Sequence, residues 1–314
     1  MSAAGAWSLA GGRALTLDTP RIIAILNVTP DSFSDGGRFP GVDDALRAAL
    51  RALDEGADML DIGGESTRPG AQRIDADTQR RRVVPVIEAV ARERPGALIS
   101  VDTTRAAVAE AALDAGACAV NDVAAGLEDD AMLPLVAARG AGVILMHRRV
   151  PPGEDRYSTE HERAPSYESE AGGSPYDAAS APVVRAVRTF LCARAEEALR
   201  AGVARGCVVI DPGLGFGKDV AQSVALLRDT PALVATGWPV LSAVSRKSFI
   251  GALSGVEAPA DRLQGTVAVS VAACLAGVRL FRVHDVAAHR EALSVAAALT
   301  SRGLAAGASR SYHL

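Results

Sequence analysis

Short apolar runs that stop on polar residues recur along the chain at the spacing of strand–helix units. Residues 22–26 read IIAIL and stop on Asn27, 59–62 lead to Gly63, Gly64 and Glu65, and 98–101 stop on Asp102. The pattern continues through 119–120 to Asn121, 143–146 to His147, 208–210 to Asp211, 240–244 to Ser245, Arg246 and Lys247, and 280–283 to His284 and Asp285. Mostly unbroken Val, Ile and Leu suit parallel strands covered on both faces. Between them the apolar spacing is helical: 43–55 ending near Gly56, 78–92 with a kink or restart expected at Pro85, an alanine-rich 105–115, and 181–199 with Pro182 in its first turn. Residues 264–276 and 286–299 supply the last two helices. Eight β–α units are the count of a TIM (β/α)8 barrel in the α/β class, whose active sites lie at the C-terminal ends of the strands. The polar stops fall where that geometry needs them.

Three segments depart from the rhythm. Residues 1–20 carry two apolar stretches around Gly11 and Gly12, which predicts a hairpin ahead of a barrel spanning 21–300. Residues 148–179 hold Pro151, Pro152, Gly172, Gly173 and many charges with little apolar periodicity. They read as a long, mobile excursion on the active-site side that buries little. Residues 301–314 read as a disordered tail.

Two loops stand out for length and polarity. Residues 27–39 exceed the usual 2–6 residues of a strand–helix connection, which favours function over an ordinary turn. Residues 63–71, GGESTRPGA, form a second polar loop. The stretch 208–218, VVIDPGLGFGK, runs from a buried strand through Asp211 into alternating glycines. Those glycines permit φ > 0 or a close backbone approach. The loop is not a Walker A motif, because Pro212 and Asp219 stand where Gly and Ser or Thr belong, and Lys218 spoils GxGxxG.

Composition narrows the classes. With 49% hydrophobic and 22% charged residues the 314-residue chain has ample core, and a formal net charge of −4 argues against a nucleic-acid footprint. Cys118, Cys192, Cys207 and Cys274 form no CxxC pair and sit among apolar neighbours, as free buried thiols do in a reducing compartment. No apolar run approaches the roughly 18 residues of a membrane span, and no signal-like start is visible. The expectation is a soluble, cytoplasmic protein without membrane or nucleic-acid partners.

Asp102, Asn121, Asp211 and Lys247 stand at four strand exits. Each alone could cap a helix; together at one height of a barrel they suit a flat heterocycle with several N–H groups and a carbonyl. Arg68, Arg282 and His284, with Ser66, Thr67 and Asn27, could hold a phosphate-like anion. His284 alone reads equally well as a satisfied core histidine. The Arg80–Arg82 run reads as a solvated face.

The segments NVTPDSFSDGG, DIGGESTRPG, SVDT, ND, MH, DPGLGFGK, SRKS and RVHD occur in the order seen in dihydropteroate synthases, and the resemblance spans most of the chain. It implies a TIM barrel that joins 6-hydroxymethyl-7,8-dihydropterin diphosphate to p-aminobenzoate with loss of pyrophosphate, for folate synthesis, and a homodimer. By the same resemblance Asp102, Asn121, Asp211 and Lys247 form a pterin pocket with Met146 packing on the ring. Asn27 takes the Mg2+ and diphosphate position, and Arg282 and His284 an anion site separate from the ring. Thr67, Arg68 and Pro69, with Phe33 and Asp35, close over the reacting centre, where Asp102, Lys247, Asp35 and Arg68 carry the chemistry. Phe216, Lys247 and Ser248 take the p-aminobenzoate side. One departure stands out: the family follows MH with a short GxPxxMQ-like run, whereas this chain reads MHRRVPPGED and continues into the excursion. A pterin-dependent methyltransferase would not need the diphosphate set, and a catalytically inactive pterin-binding paralogue would keep the fold.

Overall fold

The structure is a computed structural model that describes residues 5–29, 40–171 and 179–300. Eight parallel strands alternate with helices: β3 (Arg21–Asn27), β4 (Met59–Gly63), β5 (Ile99–Asp102), β6 (Ala119–Asp122), β7 (Gly142–Met146), β8 (Val208–Asp211), β9 (Leu241–Ser242) and β10 (Leu280–Val283). They follow β1 (Ala6–Ser8) and β2 (Ala14–Thr16), an antiparallel hairpin. The ladder runs β8-β7-β6-β5-β4-β3-β10-β9. A parallel bridge between Ile210 and Val240, with Ile210 N–H bonded to Pro239 O at 2.9 Å, brings its two ends together as a barrel. Both expected elements, barrel and hairpin, are present.

The core divides into two bodies. Outward-facing Ile22, Ala24, Leu60, Ile62, Val101, Val120, Val143 and Ile210 pack under the surrounding helices. Inward-facing Ile23, Met59, Ile144, Val209, Leu241 and Leu280 fill the lower barrel and rest on Trp7, Leu9, Leu15 and Leu17 of the hairpin segment. Trp7 is fully buried, with its indole N–H bonded to Cys207 O at 2.8 Å. A Cβ on Gly142 would approach the Leu9 and Trp7 side chains to 2.7 and 2.9 Å, so glycine is what lets the hairpin seat there. The hairpin closes the N-terminal end, and the polar strand exits open at the other.

Two expectations change. Of the kink or restart expected at Pro85, the restart is absent: the helix Ala76–Glu93 runs through Pro85 as one element, with Val83, Val86, Ile87 and Val90 burying its inner face. The excursion does not lie loose. Tyr167 and Ala171 are buried, Asp155 and Ser158 nearly so, and short helices form at Pro152–Glu154 and Glu168–Ala171. Few apolar residues suffice because hydrogen bonds to the barrel loops do the anchoring. The tail 301–314 and the loop residues Phe33 and Asp35 lie outside the described residues.

Candidate active site

Strand register decides which side chains meet. Asn27, Gly63, Asp102 and Asn121 share one row across β3 to β6, and Met146 pairs with Asp211 across β7 and β8. A Cβ on Gly63 would stand 3.3 Å from Asp102 Cβ and 3.8 Å from Asn27 Oδ1, so Asn27 and Asp102 flank a glycine gap. Below them lies Asp61, wholly buried within β4. It accepts from Ser100 Oγ at 2.6 Å, Asn121 Nδ2 at 3.0 Å and Arg282 Nε at 2.6 Å. The other arm of Arg282 donates to Asp102 Oδ2 at 2.8 Å. Arg282 thus stands between two carboxylates, and burial alone would disfavour its charge, but Asp61 and Asp102 hold its pKa above the ordinary value. Burial pushes Asp102 up to about 7 against the pull of Arg282, with Asp61 adding to the rise.

Arg282, expected on an anion side apart from the ring pocket, is bonded to Asp61 and Asp102 and so is tied to the Asp102–Asn121 row. Its guanidinium and the row form one network.

Across the mouth, Asp211 Oδ1 accepts Gly213 N–H at 2.7 Å, and burial raises its carboxyl while Lys247 opposes the rise. Gly213 has φ +62 and no room for a side chain, since a Cβ would lie 1.9 Å from His147 O. Lys247 Nζ donates to Leu214 O and sits 4.6 Å from the Phe216 ring centroid. Burial lowers the Lys247 ammonium to about 8 against the pull of Asp211. The turn presenting Lys247 is strained: Arg246 has φ 62, a conformation worth about 1–3 kcal/mol in a non-glycine residue. Its side chain grips Asp285 at 3.0 and 2.6 Å, and Arg262 Nη1 holds its carbonyl at 2.9 Å. Those bonds aim Lys247 inward and leave Ser248 at the start of the next helix, Ser248–Ser254.

On the anion side, His284 Nδ1 lies 2.9 Å from Ser245 Oγ. Burial, with Arg246 and Arg282 nearby, lowers its pKa to about 4, so the ring is neutral at pH 7 in the free chain. Arg68 is exposed and its backbone N–H bonds Ser66 Oγ at 3.4 Å, while Thr67 and Pro69 are half-buried beside it. A cleft of about 360 Å³ lies between Thr29, Ser66, Arg68, Pro69 and Tyr157. Among the described residues no three His, Cys, Asp or Glu side chains cluster as a metal cage. Asn27 offers a single amide oxygen, which fits a Mg2+ that keeps most of its ligands from water and substrate phosphate.

Residues 23–284 match the family of pterin binding enzymes. The chain belongs to that family. It is 44% identical over 294 residues to the dihydropteroate synthase of Mycobacterium leprae, covering 92% of this chain and 96% of that one. It is 43% identical over 302 residues to the inactive dihydropteroate synthase 2 of Mycobacterium tuberculosis, covering 94% and 90%. Among solved structures it resembles Xanthomonas albilineans dihydropteroate synthase with 4-aminobenzoic acid at a TM-score of 0.81 and 42% identity, covering 95% and 100%. This pterin-binding chain is a transferase of the dihydropteroate synthase type.

Two functional residues escaped the sequence reading. Asp61 hides inside an apolar run, MLDIG, buried at all five positions. A carboxylate in such a strand needs a cation, and that requirement is the signal that could have found it. Lys218 read as the end of a glycine loop, yet it is wholly buried. Its Nζ lies 2.9 Å from Gly213 O, 2.8 Å from Phe216 O and 3.0 Å from His147 Nδ1. It ties down the loop that carries Phe216. Burial lowers its ammonium to about 7, with Lys247 pushing the same way.

Proposed function

We propose that this family member is an active dihydropteroate synthase, condensing 6-hydroxymethyl-7,8-dihydropterin diphosphate with p-aminobenzoate and releasing pyrophosphate. The observation that supports this most is the set gathered at the mouth: buried carboxylates at Asp102 and Asp211, Asn121 held by its N–H to Asp61, Lys247 bonded to Leu214 O, and the exposed, cationic Arg68. In this reading Asp102 and Asp211 accept the ring N–H groups, Lys247 donates to the ring carbonyl, and Met146 packs on the ring face. The Asp61–Arg282 pair holds Asp102 and Asn121 in position.

Cleavage of the C–O bond leaves positive charge on the exocyclic carbon, delocalised into the pterin. Asp102 lies close to that charge, and a fixed carboxylate in a water-poor site stabilises it far more than water would. Arg68 and the Nε2 side of His284 receive the departing diphosphate; the arriving anion would raise the His284 pKa from about 4. Asn27 would hold Mg2+, which when bound neutralises diphosphate charge. The neutral arylamine, lying against Phe216, Lys247 and Ser248, attacks the carbon and then loses a proton.

A homodimer in the cytoplasm completes the reading. Leu253, Leu275, Val295 and Leu299, all exposed on the last three helices, suit a self-contact. The near-equal identity to a relative named inactive supports a second reading, a pterin binder without turnover. Continuous assay of pyrophosphate release with both substrates and Mg2+ decides between them. Release that requires p-aminobenzoate supports the synthase; tight pterin binding with none supports the inactive form.

A further inference from the structure

The segment 152–171 carries few apolar residues, yet it is fastened to the two stretches on the arylamine side. Asp155, 7% exposed, takes the Gly217 N–H with its two carboxylate oxygens at 3.1 and 2.9 Å. Tyr167, 2% exposed, donates its O–H to Gly217 O at 2.7 Å. Both backbone groups of Gly217, the residue after Phe216, are therefore gripped by one segment. A third anchor reaches the other stretch: Ser158 N–H donates to Ser248 Oγ at 3.1 Å. Gln222 Nε2 fixes the middle through Pro165 O at 2.6 Å.

The Ser158 hydroxyl is the unexplained part. It is buried and has no hydrogen-bond partner, with the residue only 3% exposed. A Cβ built on Gly215 would stand 3.8 Å from Ser158 Oγ and 3.2 Å from Lys247 Cδ, so hydroxyl, glycine and lysine share one corner. A strap needed only to pin a loop has no reason to bury an unpaired hydroxyl, which forfeits its water bonds for nothing. Ser248 Oγ accepts from Ser158 N–H and keeps its own proton to donate into the same corner. Two hydroxyl donors beside an ammonium fit a carboxylate.

We propose that residues 152–171 form the outer wall of the arylamine subsite: the Ser158 hydroxyl meets the substrate carboxylate, and Asp155 and Tyr167 are positioning residues that hold Phe216 through Gly217. This rests on the synthase reading and adds the group that selects the arylamine.

Steady-state kinetics on Ser158→Ala, Ser158→Thr and Tyr167→Phe, with p-aminobenzoate and with the carboxylate-free 4-aminobenzamide, test it. Ser158→Ala should raise KM for p-aminobenzoate about tenfold, the size of a lost hydrogen bond to a charged group. Its kcat and its KM for the pterin diphosphate should stay at wild-type values. Its KM for the benzamide, whose neutral carbonyl is a weaker acceptor, should rise by less than that for p-aminobenzoate, and Ser158→Thr should restore the KM for p-aminobenzoate. Tyr167→Phe should raise KM for both amines together. An unchanged KM in Ser158→Ala, or one raised equally for both amines, overturns the carboxylate contact. A Tyr167→Phe enzyme that melts earlier but keeps wild-type KM values overturns the positioning role. A wild-type chain with no turnover contradicts the synthase reading itself.

Discussion

Arg282→Ala removes the guanidinium that stands between Asp61 and Asp102, 2.6 and 2.8 Å away. Two buried carboxylates are then left facing each other, and removing one partner of a buried ion pair costs about 3–5 kcal/mol. That penalty should depend on pH in a definite sense. Asp102 sits at about 7 in the folded chain, against the ordinary carboxylate value of 3.8. The folded state therefore binds the extra proton, and stability from this group falls as pH rises from the lower value to the higher. Arg282 pulls Asp102 down, so without it the fall extends above pH 7. The variant should lag the wild type least at about pH 5 and most at about pH 8, by roughly 3–5 kcal/mol in urea unfolding. Calorimetry should show affinity for a bare pterin and for its diphosphate both reduced, by about tenfold to a hundredfold, because Asp102 and Asn121 lose their support together. A pH-independent stability loss, or a loss confined to the diphosphate ligand, would refute the shared network.

Lys218→Met should leave the Phe216 carbonyl unpaired, while Gly213 O keeps the Phe216 N–H at 3.0 Å, and destabilise by about 1–3 kcal/mol, read by urea unfolding. Trp7→Ala should cost about 3–5 kcal/mol by the same measurement and leave pterin affinity unchanged, since the hairpin fills the opposite end of the barrel. Deleting residues 154–171 should lower the melting temperature, because Tyr167 and Ala171 are buried and Gly217 loses its partners; an unshifted melting curve would show that the segment does not pack.

Much of this architecture was legible because parallel strands buried on both faces write themselves as unbroken apolar runs. Their polar exits named Asp102, Asn121, Asp211 and Lys247; β-strand register then puts Asp102 and Asn121 in one row and Asp211 beside Met146. Arg282 stands out at its strand exit, but its bonds to Asp61 and Asp102 are not legible there. Its position in RVHD says nothing of the Asp61 side chain more than two hundred residues away, and only strand order brings β4 beside β3 and β3 beside β10. The segment 148–171 was misread for a different reason. Apolar periodicity detects burial by the hydrophobic effect, whereas this segment is held by hydrogen bonds: Asp155 accepts the Gly217 N–H, Tyr167 donates to Gly217 O and Ser158 N–H donates to Ser248 Oγ. Such bonds leave no period in a sequence.

The central claim is catalytic, and product analysis after a single incubation tests it most directly. Purified chain, 6-hydroxymethyl-7,8-dihydropterin diphosphate, p-aminobenzoate and Mg2+ should yield 7,8-dihydropteroate and pyrophosphate in equal amounts, with Lys247→Ala yielding neither. Wild-type chain that binds the pterin diphosphate in calorimetry but yields no dihydropteroate would contradict it.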